Sequence, residues 1–233
     1  MIVSISQPAY LPWLGYLQRI ARSDLHVVLD HVQFEKGSFT NRNKIRTKDD
    51  AVWLTVPLAT KGRFGELAIN TVQFAPNATW QKDHWATLQR NYARAPFFKQ
   101  YSGAYEACYR ETWSSFAALL RAMLEQQLRD FGISTPLRFS SEMNPSGVKS
   151  DLILELCRAT NATMYLSGPL GRDYLDEAGF RANGIEIQYH DFVHPSYTQA
   201  WPGFVSHLSA LDLLFNHGPA AREILLADQS VAV

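Results

Sequence analysis

The sequence predicts an α/β fold built on a largely parallel sheet, and three observations carry that expectation. Short apolar runs rich in β-branched or aromatic residues recur at 2–5, 26–29, 163–166 and 185–189. Between the first two lies a stretch with helical spacing, so strand, helix and strand follow one another as a βαβ unit. Polar side chains come directly after the runs, where an open α/β sheet carries its working groups, in the crevice beyond its strands' carboxyl ends.

The elements follow in chain order. Ile2 to Ile5 is a buried strand. Pro8 and Pro12 each withhold a backbone donor and disfavour helix at the residue before them, so 7–12 is a loop. Trp13, Leu14, Leu17, Ile20 and Ala21 recur at helical spacing, and Asp24 closes that helix or opens the next strand. His26 to Leu29 is the second strand, with Asp30 at its end. Residues 35–50 are polar and read as a loop or hairpin. Val52 to Leu58 reads as another strand, with Pro57 at its end or on an edge. A turn at Gly62 and Gly65 leads to a paired strand at 68–74.

From Trp80 to Leu128 the pattern is helical, interrupted at Ala95-Pro96, with one long helix expected from about Gly103 to Phe131. Residues 76–140 are therefore expected to form a mainly helical insertion in one domain spanning 1–233. Phe139 to Met143 is a candidate strand, and Ser150 a candidate N-cap for a helix over 151–160. After the strand at 163–166, Gly168, Pro169 and Gly171 make a tight turn. The last clear strand is 184–189. Residues 203–216 read as a C-terminal helix stopped by Gly218, and the tail 228–233 is expected to fray.

Composition narrows the function. The 233 residues are 46% apolar, ample for a core, and carry 22 basic against 22 acidic side chains. A nucleic-acid binder usually shows a basic excess, so DNA is not an expected partner, although Arg42, Lys44, Arg46 and Lys48 form a local basic run. The N-terminus lacks the pattern of a signal peptide, and no run approaches the length of a membrane span. Cys108 and Cys157 both fall in helical patterns, where buried free thiols are the usual finding. The expectation is a reduced, cytoplasmic protein.

Several polar groups are candidates for chemistry. Gln7, Asp30, Ser167, His190 and Asp191 stand at strand ends and are expected to converge. His190 beside Asp191, or His84 in its aromatic setting, could act as a base. A lone histidine on an apolar face is more often a core residue with one partner. His190, Asp191 and His194 match a metal set in number, but Pro195 and the preceding strand put them in a loop, so no metal is expected. Lys36, Asn41, Arg42 and Asn43 offer amide and cationic donors suited to a sugar or an anion. Backbone donors at Ser167, Gly168 and the following turn could hold phosphate or carboxylate.

Two resemblances sharpen this reading. Gln7-Pro-x-Tyr10-x-Pro-Trp13-x-Gly15-Tyr16, Asp30-x-Val-Gln33-Phe34 and Asn41-Arg-Asn43 resemble the WbqC-like protein family. So do Tyr165-Leu-Ser-Gly168, Gly171-x-x-Tyr174, Tyr189-x-x-Phe192, His194-Pro-x-Tyr197-x-Gln199 and Ser209-x-x-Asp212-Leu-Leu. The resemblance runs from the first strand to about Gly218 and implies a bacterial protein of O-antigen and related surface-glycan synthesis. Within that setting the expected activity is transfer of an acyl or aminoacyl group to an amino sugar. The expected partners are a sugar nucleotide and an activated acyl or aminoacyl donor, with no cofactor implied. Tyr10, Trp13, Gln33, Tyr174, His194, Tyr197 and Gln199 join the candidate substrate contacts on these motifs. The second resemblance is at fold level only. Trp13 and Tyr16 stand where nucleotidylyltransferases carry the histidines of His-x-Gly-His, so a Rossmann/HUP-like three-layer fold is implied without that chemistry. A nucleotidylyltransferase-like enzyme with an altered phosphate site and a non-catalytic sugar-nucleotide-binding or assembly protein are the alternatives.

Overall fold

The computed structural model describes residues 1–63, 65 and 67–227, so the tail expected to fray lies outside the described residues. Its strands are β1 (Ile2–Ser6), β2 (Leu25–Val28), β3 (Arg42–Arg46), β4 (Ala51–Thr55), β5 (Leu137–Phe139), β6 (Met164–Ser167) and β7 (Glu186–Tyr189). The helices are α1 (Leu14–Ala21), α2 (Trp80–Tyr92), α3 (Phe98–Arg110), α4 (Phe116–Asp130), α5 (Lys149–Ala159), α6 (Glu177–Ala182), α7 (Leu211–His217) and α8 (Ala221–Leu226). Five strands form one sheet in the order β5-β2-β1-β6-β7, and each neighbouring pair is parallel. With helices on both faces this is a Rossmann-like three-layer α/β fold.

The period-2 alternation of the strands separates the two faces. Val3, Ile5, Leu25, Val27 and Leu29 pack with α5 and α6 through Leu152, Ile153, Leu156 and Phe180. Full burial of each aliphatic side chain contributes about 1.5–3 kcal/mol. Val28 and Phe139 join the other core, with Leu14, Leu17 and Ile20 of α1 and Leu120 and Leu124 of α4. Behind α1, however, the sheet is polar. Ser4 and His26 are register partners, fully buried, and joined by a 2.8 Å hydrogen bond at Nδ1, with the Tyr16 ring 5.7 Å from the imidazole.

β3 and β4 form a separate antiparallel hairpin, one of the two outcomes the polar stretch allowed. Its second residue, Asn43, is fully buried. The Asn43 amide donates to the Leu11 carbonyl at 2.6 Å, and its oxygen accepts from Lys44 N at 2.8 Å. Leu11 needs that support because its φ is +46°, a left-handed conformation that costs an L-residue roughly 1–2 kcal/mol. Tyr10 N also donates to Phe39 O, and Ala210 N to Pro12 O, so the 7–13 loop is tied to three parts of the chain.

Five elements differ from expectation, the first being the candidate strand at 139–143, where the strand is β5 and ends at Phe139 before a 3-10 turn at Ser140–Glu142. The expected long helix is two, α3 and α4, because the Ser115 hydroxyl caps Ala118 N and Trp113 folds back to donate to Cys108 O. Residues 68–74 make a short 3-10 turn at Ile69–Thr71 between isolated bridges at Ala68 and Phe74, in place of a strand. Ser150 lies inside α5, where its hydroxyl accepts from Asp176 N, so it is not the N-cap. The C-terminal helix begins only at Leu211, since positive φ at Gly203 and His207 and the pairing of Ser209 N with Lys44 O keep 203–210 irregular. Gly218 ends that helix at φ +51°, as expected of a glycine stop.

Asn43→Ala should destabilise the protein by about 1–3 kcal/mol, because a buried carbonyl and a buried amide lose their partner together. Arg42→Ala, on the partly exposed face of the same strand, should cost much less. Urea denaturation of the two variants checks the contrast.

Candidate functional site

Asp30 lies just past β2, buried and firmly held. Its Oδ1 accepts from Ser140 Oγ at 3.0 Å and Ser141 N at 2.9 Å, and its Oδ2 accepts from Ser141 Oγ at 2.7 Å. The chain turns at 140–142 directly after β5, so the two strand ends build this seat together. Asp30 lines a hollow of about 240 Å³ with Pro8, Val28 and Phe139 below and the first turns of α4 above. Arg121 lies across the Phe139 ring at 4.1 Å and pairs with Glu125 and Glu142 at 3.0 and 3.3 Å.

Three residues further on the chain meets a second, larger hollow of about 1060 Å³. Gln33, Lys36, Leu58, Lys61, Arg63 and Gln73 are among its lining residues. Gln33 holds the segment by accepting from Leu67 N at 2.9 Å and donating to Phe34 O at 3.0 Å. Lys36, Lys61 and Arg63 are exposed, and Glu35 is the one carboxylate among the described lining residues. Next to this segment, Arg42 stacks over Trp53 at 4.3 Å, and Trp13, Phe39 and Trp53 follow one another with ring centroids 4.9 and 5.8 Å apart. Trp53 and Phe39 are exposed, and the buried Arg42 Nε has no hydrogen-bond partner among the described residues.

The histidines are occupied otherwise. His84 Nδ1 lies 2.8 Å from the Tyr10 hydroxyl, which in turn lies 2.5 Å from that of Tyr109, with Trp80 closing the aromatic cluster. Burial pushes the His84 pKa down to about 4, opposed by its bond to the Thr55 backbone. His190 donates from Nε2 to Gln18 Oε1 at 2.7 Å, and burial, then Arg19 and Arg22, push its pKa down to about 4. Asp191 points away to a two-pronged pair with Arg172 at 2.9 and 2.8 Å, a bond that lowers its pKa. The expected His190–Asp191 orienting pair is therefore replaced by two separate contacts. Among the described residues no group of three histidine, cysteine, aspartate or glutamate side chains comes together to hold a metal ion.

The strand-end residues do not open on one hollow. Asp30 and His190 line different ones, and β1 and β6 separate their strands. Gln7 follows β1 and Ser167 ends β6, the neighbours at which the sheet's connections change face, and Tyr174 is exposed beyond them. Other candidates serve the fold. Asn41 donates to Val56 O at 2.9 Å, and His194 donates to Pro195 O at 2.8 Å within an aromatic cluster containing Tyr197. Gln199 donates to buried Asp212 at 2.8 Å, and Tyr92 donates to the same carboxylate at 2.9 Å. Sequence spacing gave no signal for Arg19. Its Nε is buried without a hydrogen-bond partner among the described residues, and its guanidinium lies so close to Gly168 that a Cβ there would meet it at 2.3 Å.

These features define a class, a three-layer α/β protein with polar side chains and hollows beyond the carboxyl end of its parallel sheet. The chain belongs to the WbqC-like protein family, whose model matches residues 7–224. It is 36% identical over 225 residues to uncharacterized protein Rv1507c of Mycobacterium tuberculosis, with 96% of each chain covered. No solved structure matches it. No helix among the described residues is long and apolar enough to cross a membrane.

The buried histidines give the fold a defined pH dependence. His26 is pushed down to about 3, and His84 and His190 to about 4, each chiefly by burial, against 6.5 for the unfolded chain. Between about pH 6.5 and 4 the unfolded chain binds more protons than the folded one, so stability rises with pH in that window and is lost on acidification. Each histidine contributes up to about 1.4 kcal/mol per pH unit. Urea unfolding across this window should show that slope, and His84→Gln should lower stability at neutral pH and make the slope shallower. A stability that does not change across the window would contradict the account.

Proposed function

We propose that this protein is a cytoplasmic transferase of bacterial surface-glycan synthesis. It holds a sugar nucleotide in the hollow lined by Gln33 and Lys36 and directs an acyl or aminoacyl group to an amine of the sugar. The observation that carries this reading is the combination of size and charge in that hollow. Its volume of about 1060 Å³ lies just above the usual range for small-molecule sites, about 300–1,000 Å³. Lys36, Lys61 and Arg63 at its rim suit phosphate oxygens. Membership of the WbqC-like family supports the setting.

An amine attacks an acyl group when neutral, so the reaction needs a proton acceptor. His84 and His190 do not suit that role, because their rings are committed to Tyr10 and Gln18.

Calorimetry with a uridine diphosphate amino sugar tests the binding step. The wild-type protein should bind it, and the Lys36→Ala/Lys61→Ala double variant should lose about tenfold to a hundredfold in affinity with little change in melting temperature, since exposed charges contribute little to folding. Affinity should also fall with added salt. Equal affinity in both proteins would remove the hollow from the reading.

A further inference from the structure

The small hollow at Asp30 has a chemistry of its own. At about 240 Å³ it holds roughly eight waters' share of liquid volume, taking about 30 Å³ for each, and is too small for a sugar nucleotide. Its walls are mostly apolar, from Val28, Phe139, Leu120 and Leu124, with Ala117 and Ala118 half-buried at the start of α4. Two carboxylates line it, Asp30, only 7% exposed, and the exposed Glu142, paired with Arg121.

Electrostatics select the sign of the ligand. Among the lining residues Asp30 and Glu142 are negative and Arg121 is positive. Arg121 is paired with Glu142 and Glu125 and stacked on Phe139, so its charge is spent on the rim. Asp30 has hydroxyl and amide partners but no cationic one among the described residues. An ionised carboxylate offers about four lone-pair positions. Ser140 and Ser141 take three of them, two on Oδ1 and one on Oδ2, which leaves an acceptor position on Oδ2. The serine donors also fix the carboxylate in place, so a ligand meets a preorganised acceptor.

We propose that this hollow is a binding site for a primary ammonium group carried on a compact apolar skeleton, with Asp30 receiving the ammonium and Phe139, Leu120 and Leu124 receiving the apolar part. An aminoacyl group has this chemistry, so the site would hold the donor's aminoacyl end while the larger hollow holds the acceptor. The ammonium assignment rests on the Asp30 hollow alone. Only its assignment to the donor rests on the transferase reading above.

The test uses the full chain and two probes, L-leucinamide and its uncharged analogue N-acetyl-L-leucinamide, titrated by amide chemical-shift NMR. Leucinamide should bind saturably with shifts centred on Asp30, Ser141 and the start of α4. The acetylated probe should bind about tenfold to a hundredfold more weakly, the loss of one charge-assisted bond. Asp30→Asn should bring leucinamide down to the level of the acetylated probe. Because Asp30→Asn also disturbs the Ser140 and Ser141 contacts, Ala118→Leu provides a second variant that fills the mouth of the hollow and leaves the carboxylate intact. It should abolish leucinamide binding while uridine diphosphate amino sugar affinity stays at the wild-type value. Equal affinity for the two probes, shifts mapping elsewhere, or unchanged leucinamide binding in Ala118→Leu would each overturn the proposal. Loss of sugar-nucleotide binding in the Lys36→Ala/Lys61→Ala protein bears only on the larger hollow.

Discussion

The hydrogen bond from the Asn43 amide to the Leu11 carbonyl is the constraint on which the sheet's working end depends. Leu11 turns the chain in a left-handed conformation that its own side chain disfavours, and that turn sets where α1 begins. The partner comes from a hairpin outside the parallel sheet, thirty-two residues further along. Hairpin, loop and helix start are therefore one unit, and Ser209 joins it by bridging to Trp13. The Asn41-Arg-Asn43 motif, whose side chains the sequence offers as donors to a sugar or an anion, divides its labour. The two asparagines hold backbone carbonyls, and only Arg42 between them reaches a partly open surface over Trp53.

The same division runs through the segment after β2. Asp30 faces a small hollow with a carboxylate in an apolar wall, while Gln33 and Lys36 face a large one with cations at the rim. The two differ in size by about fourfold and in the sign of the charge they present. One short stretch thus supplies groups to both, and the backbone bonds of Phe34 to Leu67 and of Ile69 and Asn70 to Val32 and Asp30 fix its course.

Much of the fold was legible in the sequence, because burial on both faces of a parallel strand leaves an apolar run that survives without context. β1, β2 and β6 appear that way, whereas β7 shows the alternation of an edge strand. The break between α3 and α4 did not, since an aromatic stripe continues through it and the decisive contact is a tryptophan folding back on Cys108. The site was less legible. Tyr197, Gln199 and Asp212 spell a polar motif whose sequence is the same whether it meets a ligand or closes on itself, and here it closes on a buried carboxylate. His84 and His190 were attractive as titratable groups, yet tertiary contacts from Tyr10 and Gln18, distant in sequence, decide their state. Asp30 was legible by position, but its serine cradle was not, because β5 pairs with β2 across more than a hundred residues.

The two borders of the sheet have a further consequence. β5 has three residues, and β7 turns the charged and polar side chains of Glu186 and Gln188 outward. An unpaired strand is a template for any other extended chain, and shortness and outward polarity both discourage such pairing. At cellular concentrations the protein can thus leave a parallel sheet open at its borders without inviting β-mediated self-assembly. A Gln188→Val change would weaken that protection at β7 while leaving the hollows at Asp30 and at Gln33 untouched.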